Sequence, residues 1–286
     1  MSYCVPVCAA VVTVFMPFLH AEDLKDIEYG QGGKVSLRFD AHIPDGKGPF
    51  PVAILVHGGA WVTGDRINNI RPLLEPLSDA NFAWFSISYR LAADVVRNPL
   101  GAAMQMGAAE SDVRKAVAFV RLHASEYRIN PNKIVLIGES AGGQLACMAA
   151  LRPDSDGAVQ GVVAFYTPSD LATLVRTSAM IPDNVRDAVK GTMFDNILMA
   201  GLTQFSPINA VSPSAPPFLL IHGTDDTVVP LAQSERFCDR LRAAGVGCEL
   251  LRVEGGGHGI RGWQTSRLTN YKASMVRWLQ QVLMQR

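Results

Sequence analysis

Ser140, His258 and one of two adjacent aspartates are the residues whose types and order are suited to acyl transfer. Ser140 lies in the motif Gly-Glu-Ser-Ala-Gly at 138–142, directly after the apolar run 134–137 and before a helix-prone stretch that begins at Gln144. A serine on such a strand-to-helix turn has its hydroxyl raised above the end of the sheet, and small flanking residues let the strand and the helix approach each other. This context predicts that Ser140 is a nucleophile.

A serine hydroxyl needs a general base near neutral pH, and the base needs an acid that holds its tautomer. His258 is the predicted base because glycines at 255–257 and 259 surround it in a flexible loop after the last predicted strand. In that position its side chain can reach over the edge of the sheet. The sequence therefore predicts that His258 takes the proton of Ser140.

The acid is expected in the loop that follows the predicted strand 218–221, where Asp225 and Asp226 are adjacent. Spacing alone does not separate them. One is expected to face the histidine, and the other to cap the turn or to face solvent. With either aspartate, the chain order serine, aspartate, histidine is that of α/β-hydrolases.

A glycine-rich loop, His-Gly-Gly-Ala-Trp at 57–61, follows the predicted strand 52–56. Acyl transfer needs hydrogen-bond donors placed where the carbonyl oxygen becomes an oxyanion, and backbone amides supply them without titrating. The predicted donors are the amides of Gly59, Ala60 and Ala141, the last at the positive end of a helix. A tight strand exit is the structural alternative for this loop.

Several side chains near these loops receive weaker predictions. His57 is expected to fix its loop through hydrogen bonds, and Asp65 and Arg66 to pair with each other or to anchor the loop. Four aromatic residues are candidates to line the substrate pocket, and core packing is the alternative for each: Trp61, Tyr166, Phe205 and Trp263. Among them, Trp61 is the candidate substrate-binding residue.

Apolar runs alternate with amphipathic helical stretches from residue 34 onward, which is typical of an α/β fold with a mostly parallel sheet and helices on both faces. The segment 170–207 has no strand-like run, and we interpret it as a short insertion over the active face; the alternative is helices packed elsewhere on the sheet. A single domain over 22–286 is expected. The predicted strands are 35–42, 52–56, 83–88, 134–137, 159–165, 218–221 and 249–253, and the predicted helices include 110–125, 231–244 and 268–284.

The charge balance of the 286 residues argues against an anionic polymer as partner. Lys plus Arg and Asp plus Glu each number 26, without a block of like charge. The basic footprint of nucleic-acid or anionic-membrane binding is therefore missing, and a small or carbohydrate-linked molecule is the expected substrate. The sequence contains no convincing metal cluster, and no metal or organic cofactor is expected.

Residues 4–19 are uncharged and largely apolar, which predicts a secretory signal cut near Ala21 and export to the periplasm or the medium. The run is too short and too interrupted by proline for a stable membrane span. A misassigned start or a buried first strand is the alternative. Cys238 and Cys248 are candidates to pair if the protein is exported, whereas Cys147 is expected to be a buried small side chain.

The three motif blocks together resemble those of α/β-hydrolase serine esterases with a His-Gly-Gly-x-Trp oxyanion motif. That group includes hormone-sensitive-lipase-like carboxylesterases, acetylxylan and feruloyl esterases, and kynurenine formamidase. The resemblance extends over 52–66, 110–151 and 206–259. It implies a cofactor-independent serine esterase, and it selects Asp226 as the acid because the acid of this group follows His-Gly-Thr-x.

Two departures from the lipase-like branch refine the expectation. Glu139 replaces the usual aspartate before the serine, and Ala60 replaces a third glycine. Both departures point toward the acetylxylan and feruloyl esterases. The stretch before the first predicted strand is too short for the helical cap of the lipase-like branch, so the resemblance implies an open cleft that admits carbohydrate-linked esters. An arylformamidase that uses the same triad is the alternative enzyme, and a noncatalytic binding protein is the alternative outside enzymes.

Overall fold

The computed structural model describes residues 20–92, 99–154, 157–177, 187, 190–264 and 270–284, without side-chain detail for 99–104 and Phe194. Eight strands form one sheet: β1 (Glu22–Gly32), β2 (Val35–Ile43), β3 (Phe50–Val56), β4 (Ala83–Ile87), β5 (Ile129–Glu139), β6 (Gly161–Phe165), β7 (Phe218–Gly223) and β8 (Cys248–Val253). All seven predicted strands are present, with ends that differ by a few residues.

The strand order is β1-β2-β4-β3-β5-β6-β7-β8. Strand β2 pairs antiparallel with β1 and with β4, and every pair from β4 to β8 is parallel. The central strands are almost wholly buried, as expected for parallel strands that are covered by helices on both faces. The predicted α/β class is confirmed.

Seven α-helices lie within the described ranges and connect or cover the strands: α1 (Arg71–Asp79), α2 (Pro99–Leu122), α3 (Ala141–Leu151), α4 (Leu171–Thr177), α5 (Met193–Gln204), α6 (Ala232–Ala243) and α7 (Tyr271–Met284). Helices α2, α3 and α6 contribute to one apolar core, and α1 and α7 contribute to a second core on the opposite face of the sheet. The carboxyl ends of the parallel strands are thereby left free to carry loops.

Strand β1 and helix α1 were not predicted. Strand β1 has the sequence EDLKDIEYGQG and is largely exposed, so no alternating apolar pattern marks it. It is held by backbone pairing with β2 at the edge of the sheet. Helix α1 contains Pro72 in its first turn and Pro76 in its interior, and proline weakens a helical pattern.

Helices α4 and α5 belong to the segment 170–207, which has no strand among its described residues. They form a small apolar cluster with the side chain of Met106, and Trp61 packs against it. Leu198 contributes to this cluster, whereas Met193 and Ile197 are exposed. Met180 and Ile181, two other apolar residues of this segment, lie outside the described residues, as does the side chain of Phe194. That the segment covers a substrate pocket stays a prediction.

The predicted signal segment lies, up to residue 19, outside the described residues. In the described part of the chain, no helix has both the length and the apolar character needed to cross a bilayer. Cys238 and Cys248 form a disulfide bond with 5.6 Å between their Cα atoms, and Cys147 is a buried free thiol.

Candidate active site

Ser140 occupies a sharp turn between β5 and α3. Its backbone has φ 52° and ψ −122°, a region that residues other than glycine rarely adopt. A Cβ atom at position 138 would clash with the backbone of Gly142, and one at position 142 would clash with the carbonyl oxygens of Val56 and His57. The two glycines of the motif are thus required by close backbone approach, which holds Ser140, a partly buried residue, in its strained turn.

The hydroxyl of Ser140 contacts His258. Its Oγ lies 2.9 Å from His258 Nε2, and His258 Nδ1 lies 2.7 Å from Asp226 Oδ2. A carboxylate can only accept, so Nδ1 carries the proton toward Asp226 and Nε2 is left to accept from the serine hydroxyl. Three segments that are far apart in sequence therefore form one hydrogen-bonded chain.

Asp226, and not Asp225, faces the histidine. Asp226 is buried, and its Oδ1 accepts from the amides of Val228 and Val229 at 2.9 and 2.8 Å. Asp225 is exposed and receives a hydrogen bond from the neighbouring Thr224 hydroxyl. The contact agrees with the choice that the resemblance implied.

The environment of Asp226 favours its ionised form. Burial by itself raises the pKa of this carboxyl group, but hydrogen bonds from two histidines and from the loop amides hold the pKa well below its ordinary value. One of these histidines, His222, was not assigned a role from the sequence. It is fully buried, with Nε2 3.4 Å from Asp226 Oδ2 and 2.8 Å from the carbonyl oxygen of Val229. Its only sequence signal is its place at the start of His-Gly-Thr-Asp-Asp.

The loop after β3 turns sharply beside the serine. Gly59, Ala60 and Trp61 all have positive φ, and the Gly59 carbonyl accepts from the amides of Val62 and Thr63. Within the described ranges, the amides of Gly59 and Ala60 have no protein acceptor. The first turn of α3 approaches the exit of β3, where Gly142 lies against the carbonyl oxygens of Val56 and His57. That the amides of Gly59, Ala60 and Ala141 form an oxyanion hole stays a prediction.

His57 fixes the loop, as predicted. It is buried, its Nδ1 donates to the carbonyl of Gly58 at 2.7 Å, and its ring stacks on Tyr89 with 4.5 Å between centroids. Burial lowers the pKa of His57, so the neutral ring is favoured. The Tyr89 hydroxyl donates to the His57 carbonyl at 2.9 Å.

Of the two alternatives expected for Asp65 and Arg66, the pair with each other is not formed, because each side chain has other partners. Asp65 accepts from the amides of Ile67 and Asn68, as a short polar side chain often does at a turn. The guanidinium group of Arg66 points away from Asp65 and forms salt bridges with Asp40 of β2 and Asp26 of β1. Both residues still anchor the chain that follows the oxyanion loop, through separate partners.

Trp61 is half-buried and is tied to α3. Its Nε1 donates to Gln144 Oε1 at 3.0 Å, and Gln144 Nε2 donates to the carbonyl oxygen of Phe205 at 2.7 Å. Gln144 is fully buried. This amide, which was not singled out from the sequence, connects the oxyanion loop with the end of α5. Substrate binding by Trp61 stays a prediction.

Tyr166 and Trp263 pack beneath His258 and do not line the cleft. Both are buried, with exposed fractions of 0% and 1%. The rings of Tyr166 and His258 are 4.6 Å apart, and Trp263 lies edge-on to Tyr166. In the described part of the chain, no group of three or more His, Cys, Asp or Glu side chains is placed to hold a metal ion.

A mostly parallel sheet with a serine elbow after β5 and the aspartate and histidine loops after β7 and β8 defines an α/β-hydrolase fold. A family model described as BD-FAE matches residues 39–241. The chain belongs to this family.

Individual relatives and solved structures are consistent with this family. The chain is 31% identical over 244 residues to the probable carboxylic ester hydrolase LipM of Mycobacterium tuberculosis. The alignment covers 81% of this chain and 54% of LipM. It spans about half the length of the curated relatives it matches.

Two solved structures share the fold. A truncated carbohydrate esterase from gut microbiota superposes with a TM-score of 0.71 at 24% identity, over 93% of this chain and 97% of that one. Esterase 2 of Thermogutta terrifontis, phosphoramylated by tabun, gives a TM-score of 0.70 at 22% identity, over 93% and 94% of the two chains.

Proposed function

We propose that this protein is a carboxylic ester hydrolase that works through a Ser-His-Asp triad and an acyl-enzyme intermediate. One observation carries the proposal: the continuous hydrogen-bonded chain from Ser140 through His258 to Asp226. Ester hydrolase names among the relatives support the same activity.

In the first half of the proposed reaction, Ser140 Oγ attacks the ester carbonyl carbon while His258 Nε2 takes its proton. The carbonyl oxygen gains the negative charge and accepts hydrogen bonds from the amides of Gly59, Ala60 and Ala141. The tetrahedral intermediate then collapses, the bond to the alcohol oxygen breaks, and His258 gives its proton to the leaving alcohol. An acyl group remains on Ser140.

In the second half, a water molecule takes the place of the alcohol. His258 removes one proton from it, the hydroxide oxygen attacks the acyl carbon, and the same amides accept the oxyanion. The carboxylic acid leaves as the bond to Oγ breaks, and the proton returns to Ser140. Asp226 keeps its negative charge throughout, orients the ring of His258 and stabilises its protonated form.

For the substrate, we propose a short-chain acyl ester or an ester carried on a carbohydrate. Ser140 is partly exposed although its neighbours in the turn are buried, and a carbohydrate esterase from gut microbiota has the same fold. Initial rates on acetyl, butyryl and octanoyl p-nitrophenyl esters, acetylated xylan, methyl ferulate and N-formylkynurenine test this choice. Turnover of the formamide far above that of every ester would identify an amidase instead.

Replacement of Ser140 by alanine tests the mechanism. Loss of the nucleophile is expected to lower kcat on p-nitrophenyl acetate by roughly 10⁶-fold, as in triads of this type. A fluorophosphonate probe should label the parent protein at Ser140 and should leave the variant unlabelled, and an intact fold is checked by circular dichroism. Retention of most of the activity by Ser140→Ala would rule out the proposed mechanism.

A further inference from the structure

A carboxylate lies buried directly beside the elbow serine. Glu139 precedes Ser140 at the end of β5 and is 5% exposed. Its Oε1 accepts from the amide of Gly58 and from Asn69 Nδ2, the latter at 3.3 Å. A buried carboxylate is expensive in free energy unless hydrogen bonds satisfy it, and replacing such a group by an apolar one is often stabilising. The position of this charge therefore calls for a reason beyond stability.

Tyr166 lies on the neighbouring strand exit, one residue beyond Phe165, which pairs with Glu139 in the sheet. Its hydroxyl accepts from the amide of Ile260 at 2.9 Å. Burial raises the pKa of Tyr166, and the nearby carboxylate of Glu139 raises it further. Tyr166 is fully buried and has φ 36°, a strained backbone conformation that persists only where the surroundings enforce it. Such strain concentrates at functional sites.

Glu139 and Tyr166 are each hydrogen-bonded to one of the two loops that flank the serine. Gly58 precedes Gly59 in the oxyanion loop, and Ile260 lies two residues after His258. The Tyr166 ring also packs against the imidazole, with 4.6 Å between centroids. The carboxylate of Glu139 thus holds the glycine-rich loop 57–61, and the neighbouring hydroxyl of Tyr166 holds the loop that carries His258.

We propose that Glu139 and Tyr166 are positioning residues. They hold the glycine-rich loop 57–61, which offers the oxyanion donors, and the loop of His258 in their places around Ser140. The inference rests on the proposed function, because it assumes that these two loops act in acyl transfer. Neither side chain needs to touch the substrate. Their effect is transmitted through the peptide unit of Gly58 and through the turn Ile260–Gly262.

The hydrogen-bond directions agree with an ionised Glu139. The amide of Gly58 and the side-chain amide of Asn69 both donate to it, and a carboxylate accepts both. Burial raises the pKa of Glu139, and these donors oppose that rise. A glutamine in its place keeps the volume but presents an NH₂ group to one of these donors.

The test compares Glu139→Gln, Tyr166→Phe and the double variant on p-nitrophenyl acetate and butyrate. Donors of the oxyanion hole act mainly in the transition state, and small displacements of such groups are costly. Each single variant is expected to lower kcat by roughly 10-fold to 100-fold with KM changed by less than about threefold. The double variant should fall little further than the worse single variant, because both break one network.

Matched controls make the same chemical changes away from the site. Glu110→Gln alters another buried carboxylate, which is paired with Arg114 on α2, and Tyr127→Phe removes a hydroxyl from the opposite core. Both controls should keep kcat within about twofold of the parent enzyme. Thermal unfolding of every variant separates loss of activity from loss of fold. If Glu139→Gln does not fold, the kcat of Tyr166→Phe tests the inference, because this variant keeps the packing ring.

Three results would overturn the inference: unchanged kcat in both folded single variants, a rise of KM alone, or multiplicative losses in the double variant. Failure of the proposed function looks different. In that case Ser140→Ala keeps its activity, whatever the Glu139 and Tyr166 variants do.

Discussion

At the scale of single residues, charge and tautomer decide what the site can do. Asp226 is held ionised by donors on both of its oxygens, and it accepts the Nδ1 proton of His258. That contact leaves Nε2 free to accept from Ser140. A neutral amide at position 226 would no longer select this tautomer, so the function of the serine depends on a side chain that it does not touch.

Replacement of Asp226 by asparagine is expected to lower kcat by roughly 10⁴-fold, because the ring of His258 is then held in the wrong tautomer. The measurement is steady-state hydrolysis of p-nitrophenyl acetate at pH 7. Asp225→Asn is the matched control, since that carboxylate is exposed and faces away from His258. Equal losses in the two variants would contradict the assignment of Asp226.

The Asp226→Asn substitution is also expected to change how the free energy of unfolding depends on pH in acid. The pKa of Asp226 is lower in the folded chain than the value of about 3.9 in an unfolded one, so the unfolded state binds the proton first. The stabilisation is therefore complete above about pH 5 and is lost as the pH falls through 3.9 and below. Urea unfolding between pH 6 and 3 should show a smaller loss of stability for Asp226→Asn than for the parent, and parallel curves would argue against a lowered pKa.

At the scale of elements, the site is assembled by strand ends and by the helices that cover them. Helix α3 is buried along its whole length, and its first turn lies against the exit of β3. Gln144 then joins this helix to Trp61 on one side and to Phe205 at the end of α5 on the other. The glycine-rich loop 57–61, the helix and the segment 170–207 are thus connected through one side-chain amide.

Gln144→Leu is expected to lower the free energy of unfolding by about 2 to 4 kcal/mol, because it leaves the indole N–H of Trp61 and the carbonyl of Phe205 without their partner. Urea unfolding followed by tryptophan fluorescence measures the change. Gln281→Leu, at an exposed position on α7, is the control and should change the stability little. Equal stability of the two variants would show that Gln144 is not needed to hold these elements.

Sequence reasoning reached the elements that follow a periodic pattern and the residues that lie in glycine-rich motifs. The elbow, the glycine loop and His258 were each found because special backbone turns require glycine at fixed offsets. Asp226 needed the family resemblance, since Asp225 has the same chemistry and is adjacent to it. Gln144 and Tyr166 were not assigned their contacts because their partners are distant in sequence and meet only through the fold. His222 was missed for another reason: its partners Asp226 and Val229 are near in sequence, but no pattern predicts the turn that brings them back to its ring. Strand β1 was missed since it is held by backbone pairing and carries charged, exposed residues.

At the scale of the whole molecule, the disulfide bears on where the protein works. Cys238 in α6 and Cys248 at the start of β8 are bonded, and disulfides persist mainly in exported proteins. With the apolar segment 4–19, this pair supports our proposal that the protein is exported to the periplasm or the medium.

One mass measurement tests export and pairing together. Alkylation in denaturant without reductant should modify one thiol, Cys147, and alkylation after reduction should modify three. The intact mass should correspond to a chain that begins near residue 22, without Cys4 and Cys8. A protein that stays in the cytoplasm and carries five reactive thiols would contradict both parts of the proposal.

Strand β1 has a further consequence for the behaviour of the molecule in solution. An open sheet edge offers unpaired amides and carbonyls to any other extended chain. At this edge the outermost strand carries Glu22, Asp23, Lys25 and Glu28, all largely exposed. Charged side chains along a sheet edge oppose the docking of a strand from another molecule. The same charged residues gave β1 no alternating apolar pattern in the sequence, and they also disfavour fibrillar self-association at this edge.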